Sequence, residues 1–275
     1  MLGRSWARHV LSTRGRVVTV ALAAGLSAAG CGSHVQRSEG SHQVARPVPL
    51  GSHVTAPPVR VCTTAPVALG SRRVAYAALV PRSAVARAAP GSGTVVGRLG
   101  HLDVNRLPTV LGVIAVKTNR RCDPGWYRVQ LAVVPNGTTG WIAAHSLRVY
   151  RVTSRIVVSL SDRSLALYRS GTRVLRARVA IGAPHTPTPT GRFFVNERYV
   201  LTDPNGPFGV AALGISAHSN VLHDWTEGGP IALHGTNEPS TIGDAASHGC
   251  IRLDNSIMQR LLRLSPAGTP VLIRR

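Results

Sequence analysis

The sequence predicts a mainly β protein of two domains, with one short helix near the C-terminus. Three observations predict it. Short apolar runs bounded by Gly, Pro, Asn or Asp recur from about residue 60 to the end of the chain. Helical periodicity is clear only near the end, where Ile257, Leu261, Leu262 and Leu264 form one apolar stripe. The length of 275 residues suits about two ordinary domains.

The elements follow in chain order. Arg4, Arg8, Arg14 and Arg16 precede an uncharged run from Val17 to Gly30, the layout of an export signal over residues 1–30. That run holds 14 residues, whereas a membrane-spanning helix takes about 20. Ala28-Ala29-Gly30 directly before Cys31 resembles a bacterial lipobox, which implies a lipid on Cys31 and a mature chain that begins there. Cleavage by an ordinary signal peptidase and a retained anchor are the alternatives. Residues 31–59 read as a flexible tether rich in Gly, Ser, Pro, Val and His, with Gly-Ser-His at 32–34, 40–42 and 51–53. The expected location is the cell envelope, on the outer face of the cytoplasmic membrane or in the periplasm.

The formal net charge is +21, and Lys117 is the only lysine, so arginine carries nearly all of the positive charge. Removing residues 1–30 takes away four arginines and no acids, which leaves 28 − 11 = +17. Outside the membrane such a charge draws the protein toward anionic wall polymers or lipid headgroups, an attraction that salt screens. Nucleic acid is not an expected partner: the chain is exported, only 4% of its residues are aromatic, and no nucleic-acid motif is present.

Residues 60–150 carry the first β domain. Trp126–Leu131, Pro135-Asn136-Gly137 and Gly140-Trp141-Ile142 read as strand, turn and strand, with Asn-Gly the hairpin cue. Cys62 and Cys122 suit a disulfide in an oxidising compartment, with two buried thiols as the alternative. Closing that 60-residue separation stabilises by at most roughly 4 kcal/mol in the chain-entropy model. Residues 151–275 form the second domain. It opens with a hairpin, Ile156–Leu160 and Ser164–Tyr168 around Ser161-Asp162-Arg163. The helix begins after Asp254 or Asn255 as N-cap, Gly268 ends it, and Val271-Leu272-Ile273 is a closing strand.

The chemistry concentrates in Ile231–Thr236 and Ser247–Leu253. In an extended Cys250–Leu253, Cys250 and Arg252 share one face while Ile251 and Leu253 point to the other. His234 likewise faces away from Leu233, and two adjacent strands bring it to Cys250. A free thiol with a pKa of about 8.5 is mostly protonated at neutral pH, so a cysteine nucleophile needs a histidine to take its proton. No Asp or Asn stands at an obvious triad position, and the backbone carbonyl of Gly235 is the expected orienter of the ring. Ser247-His248-Gly249 suggests a tight turn whose N–H groups, from His248, Gly249 or Cys250, face a developing oxyanion. One such donor is typically worth about 2.7 to 4 kcal/mol. The residues point to acyl transfer, with Cys250 as nucleophile.

His234-Gly235-Thr236-Asn237, then Pro239, Ile242-Gly243, Ala245 and Ser247-His248-Gly249-Cys250-Ile251-Arg252-Leu253, resemble the signature of the L,D-transpeptidase catalytic domain, the YkuD-type family. The resemblance extends over about 155–274, including Thr188–Phe193 and Asp203–Gly209. It departs after Gly209, where Val210-Ala211-Ala212 replace a frequent aromatic. Residues 122–150 resemble the end of a bacterial SH3-like barrel, whose role is wall or peptide binding or the bracing of the next domain. The family implies a β-sandwich-like catalytic fold without cofactor or metal. It also implies attack on the bond between the third and fourth residues of a peptidoglycan stem tetrapeptide, release of D-alanine, a thioester, and a 3→3 cross-link to a second stem. Carried onto this sequence, Cys250 is the nucleophile, His234 the base and acid, and Gly235 the orienter. Ser247, His248 and Gly249 shape the oxyanion site, and Arg252 holds a stem carboxylate or forms a structural ion pair. Acylation by carbapenem-type β-lactams is implied as well.

Three rival readings stay open. Water in place of the acceptor amine makes the protein an L,D-carboxypeptidase. A lipid-anchored wall-binding scaffold without activity is the non-enzymatic alternative. His218, His223, His234, His248 and Cys250 offer zinc ligands, although without a recognised metal spacing.

Overall fold

The computed structural model describes residues 45–48, 62–63, 65–222 and 229–275. The export signal, Cys31, most of the tether and His223 lie outside the described residues. Ala45–Pro47 (β1), within the stretch read as tether, forms a strand.

Eight strands build the first sheet: Val67–Ala68 (β2), Ala75–Leu79 (β3), Ser83–Arg87 (β4), Val95–Gly100 (β5), Val110–Thr118 (β6), Pro124–Gln130 (β7), Thr139–Ala143 (β8) and Arg148–Val152 (β9). They run in the order β5-β4-β8-β7-β6-β3-β9, with β2 also on β6, and every pairing is antiparallel. In β7 the period of two is plain: Tyr127 and Val129 are buried and Arg128 is exposed between them. The expected turn lies between β7 and β8 but spans residues 131–138, wider than a two-residue hairpin, with Gly137 at φ +83°. Cys62 and Cys122 are disulfide-bonded.

The second sheet takes Ser154–Ser159 (β10), Ser164–Arg169 (β11), Thr172–Arg178 (β12), Gly191–Leu201 (β14), Ala211–His218 (β15), Pro230–His234 (β16), Ile251–Arg252 (β18) and Pro270–Arg274 (β19). A separate parallel pair is made by Ile181–Gly182 (β13) and Ala245–Ser247 (β17). The main order is β12-β11-β10-β19-β14-β15-β16-β18, with β1 added along the second half of β14. The hairpin β10–β11 has its turn at residues 160–163, as the sequence leads one to expect. The two ends of this order meet, because Ala180, just beyond β12, exchanges both backbone hydrogen bonds with Arg252 on β18, each 3.0 Å. One apolar cluster drawn from nearly every strand fills the interior, with Leu213, Leu233, Ile251 and Leu253 fully buried. Each such side chain contributes roughly 1.5–3 kcal/mol by leaving water.

The helix Asn255–Leu264 (α1) closes this core. Asp254 is its N-cap, accepting from the Ser256 N–H at 2.8 Å, so Asn255 is free for another task. The buried stripe is Met258, Leu261 and Leu262, while Ile257 and Leu264 sit at its margins. The expected stripe holds at Leu261 and Leu262 and left out Met258. Gly268 does not end the helix, which stops at Leu264 with Pro266 just beyond. Its φ of +81° and its place against the first sheet require glycine, since a Cβ there would stand 2.1 Å from the Cβ of Ala77.

That contact belongs to a broad seam between the sheets. Phe194 is buried with Val110 and Ala267. Tyr150 donates to the Ala267 carbonyl at 3.1 Å, and Gln130 to the Arg192 carbonyl at 3.0 Å.

Candidate active site

β16 lies between β15, antiparallel to it, and β18, parallel to it, with Leu233 opposite Ile251 and His234 opposite Arg252. Leu233 points into the core, whereas His234 lines a cavity of about 170 Å³ together with Phe208, Ser247, His248, Cys250 and Arg252. Nδ1 of His234 stands 2.6 Å from the Gly235 carbonyl. A carbonyl only accepts, so Nδ1 carries the proton and the lone pair belongs to Nε2. Burial lowers the His234 pKa to about 4; the Gly235 bond opposes the shift and the nearby Arg252 charge adds to it. The imidazole is neutral across the physiological range. Phe208 meets it edge to face, with ring centroids 5.0 Å apart.

Cys250 ends a turn that side chains hold together. The Ser247 hydroxyl accepts from the Gly249 N–H at 3.1 Å and donates to the Cys250 carbonyl at 2.6 Å. Thr188 donates to the Gly249 carbonyl and accepts from the Gly182 N–H, both at 2.8 Å. Thr186 donates to the Ser247 carbonyl at 2.9 Å. Gly249 adopts φ +112°, a conformation that side-chain-bearing residues rarely take. The Ala232 N–H points at Sγ of Cys250 at 3.4 Å. Cys250 keeps some exposed surface, yet the protein packed around its sulfur pushes the thiol pKa up, against the smaller lowering effects of the Ala232 N–H and Arg252. The pair at rest is a neutral thiol and a neutral imidazole.

Arg252 does two things at once. It lines the cavity, and its Nη1 donates to the exposed Glu238 carboxylate at 2.7 Å.

Of the residues singled out in the sequence, Cys250, His234, Ser247, His248 and Arg252 meet on this one cavity. Gly235 acts through its carbonyl and Gly249 through its backbone conformation. Because the Gly249 N–H is bonded to Ser247, it is not a donor left for an oxyanion. His218 lines a different cavity. Among the described residues, no three His, Cys, Asp or Glu side chains converge on a metal position.

Besides Thr186 and Thr188 in the Cys250 turn, two contributors on the His234 side escaped the sequence. Asn255, at the first helical position, accepts from the Thr236 N–H at 3.1 Å and the Val210 N–H at 3.3 Å, and donates to the Thr236 carbonyl at 3.1 Å. It thereby fixes the chain just after His234. A Cβ on Gly235 or Gly209 would stand about 2 Å from its Oδ1, so both glycines are needed for this approach. The other is Phe208, which places an aromatic ring over the histidine just before Gly209, where Val210-Ala211-Ala212 lack one. A doubtful N-cap assignment was the only sequence signal for Asn255, and Phe208 had none beyond its place in a resembling stretch.

The model of the L,D-transpeptidase catalytic domain, YkuD, matches residues 153–273. A Bacillus licheniformis protein provisionally named L,D-transpeptidase YkuD is 39% identical over 119 residues, 43% of this chain and 64% of that protein. Its namesake in Bacillus subtilis strain 168 is 34% identical over 126 residues, 46% of this chain and 69% of that protein. Among solved structures, that of a mutant Enterococcus faecium L,D-transpeptidase shares 28% identity with a TM-score of 0.34, over 44% of this chain and 49% of that one. The chain thus spans under two thirds of the first of these relatives and about half of the E. faecium chain. On the family model and the B. subtilis relative, this chain belongs to the L,D-transpeptidase catalytic domain family.

Proposed function

We propose that this protein is a peptidoglycan L,D-transpeptidase that forms 3→3 cross-links through a thioester on Cys250. The observation that carries the reading is the Nδ1–H bond of His234 to Gly235, which fixes the tautomer whose Nε2 accepts a proton, on a histidine that shares its cavity with the thiol. Sγ of Cys250 attacks the carbonyl carbon of the third stem residue while its proton passes to Nε2. The oxyanion takes the N–H of Cys250 or His248. Nε2–H then gives the proton to the departing amine, the C–N bond breaks, and D-alanine leaves. The amine of a second stem attacks the thioester and gives a proton to Nε2, which returns it to the leaving thiolate as the new amide forms. The guanidinium N–H groups of Arg252 turned away from Glu238 hold a stem carboxylate. The same thiol is acylated by carbapenem-type β-lactams.

The enzyme works outside the cytoplasmic membrane, held there by a lipid on Cys31, with residues 31–59 as linker, 60–150 as an SH3-like module and 151–275 as the catalytic domain. Incubation of the purified protein with disaccharide-tetrapeptide, beside a Cys250→Ala control, tests the function. Cross-linked dimer with free D-alanine, absent from the control, is expected. Tripeptide alone would make the protein an L,D-carboxypeptidase, and no product at all would remove the assignment.

A further inference from the structure

The turn between β7 and β8 meets the end of β15 through the side chain of Asn136. Asn136 lies on the 131–138 turn and is half-buried between exposed Pro135 and Gly137. Its Oδ1 accepts from the His218 N–H at 2.8 Å and its Nδ2 donates to the His218 carbonyl at 2.7 Å. The amide thus pairs with both backbone groups of one residue, as an adjacent strand would. Nδ2 also donates to Oδ1 of Asn220 at 3.2 Å.

The gripped segment forms part of the cavity wall. His218 is opposite Pro230 in the β15–β16 pairing. Ser219 donates its N–H to the Gly229 carbonyl at 2.8 Å, and its hydroxyl accepts from the N–H of Leu222 at 3.1 Å. Leu222, Gly229 and Pro230 all line the cavity that holds His234 and Cys250. Pro230 and His218 also line the larger cavity between the two sheets, about 560 Å³, so Pro230 borders both spaces.

We propose that Asn136 is a positioning residue for substrate: by pairing with His218 it fixes the part of the cavity wall formed by Leu222, Gly229 and Pro230, and so couples the first sheet to stem-peptide binding. The proposal rests on the transpeptidase reading for its substrate. It gives the first sheet a part in catalysis that does not require it to bind the wall itself.

The test compares the full-length wild type with Asn136→Ala, Asn136→Asp and Asn105→Ala. The last removes a different bond across the same seam, the 3.0 Å donation from Asn105 to Glu197, which lies away from the catalytic cavity wall. Two readouts are taken: amide hydrogen exchange over residues 215–222, and KM and kcat with disaccharide-tetrapeptide. In Asn136→Ala, exchange at His218 rises about tenfold, as loss of one good hydrogen bond allows. KM rises several-fold with kcat within about twofold, the signature of lost positioning rather than lost chemistry. Asn136→Asp, which retains the acceptor for the His218 N–H, restores exchange protection there more than it restores KM. Unchanged exchange in Asn136→Ala would overturn the proposal. So would unchanged KM despite faster exchange, or an equal KM shift in Asn105→Ala. An inactive wild type would instead remove the transpeptidase reading, and the exchange data would still decide whether Asn136 holds this wall.

Discussion

The two halves of the candidate site are built by opposite means. His234 stands on a strand with a hydrogen-bonded neighbour on each side, and its ring is fixed by the next residue's carbonyl. Cys250 stands at the end of a turn held by the hydroxyls of Ser247, Thr186 and Thr188, each bonded to backbone. Regular sheet structure aims His234, and side-chain hydroxyls aim Cys250. If the two serve as base and nucleophile as proposed, the His234 side should tolerate changes around it better than the Cys250 side does.

Substitutions test that contrast, beginning with the largest effect. Cys250→Ala abolishes acylation, a loss of at least about 10³-fold that is read as absence of covalent adduct in intact-mass measurement. His234→Ala lowers the acylation rate by about 10²- to 10⁴-fold, the usual worth of a positioned general base. Ser247→Ala removes both the acceptor for the Gly249 N–H and the donor to the Cys250 carbonyl in a buried turn, at about 1–3 kcal/mol for each group left unsatisfied. Its acylation rate should fall by one to two orders of magnitude. Asn255→Ala acts on the His234 side, where the strand pairings persist, and should lower the rate less than Ser247→Ala at comparable loss of thermal stability. The reverse order in paired kinetic and melting measurements would break the comparison.

The smallest effect is a near-constant rate. With the His234 pKa lowered to about 4, the base stays competent as pH falls and is lost only when pH passes through about 4. The single-turnover acylation rate should change less than about twofold between pH 5 and 8. An imidazole at its ordinary pKa of about 6.5 would lose about thirtyfold at pH 5. The raised thiol pKa keeps Cys250 protonated over the same window, so the thiolate adds no rise toward pH 8.

What the sequence made legible was local or strictly spaced. Alternation in Cys250–Leu253 set Ile251 and Leu253 in the core and Cys250 and Arg252 toward the cavity. The 160–163 turn and the His234–Gly235 contact are likewise matters of a few neighbouring residues. What stayed hidden depends on chain segments far apart in sequence. Thr188 meets Gly249 across 61 residues and Asn136 meets His218 across 82, and no local pattern records either. Met258 stayed hidden because it and Ile257 are both apolar, and only the packing of α1 on the core decides which is fully buried. The pairing of β1 with β14 was hidden by a Pro-rich composition that reads as linker.

Cys250 and His234 are proposed to carry acyl transfer as a neutral pair. Acid quench during turnover of disaccharide-tetrapeptide, followed by peptide mapping, tests it most directly. The expected result is a disaccharide-tripeptide thioester on Cys250 that forms quickly in the wild type and far more slowly in His234→Ala. Acylation at another residue, or equal rates in the two proteins, would contradict it.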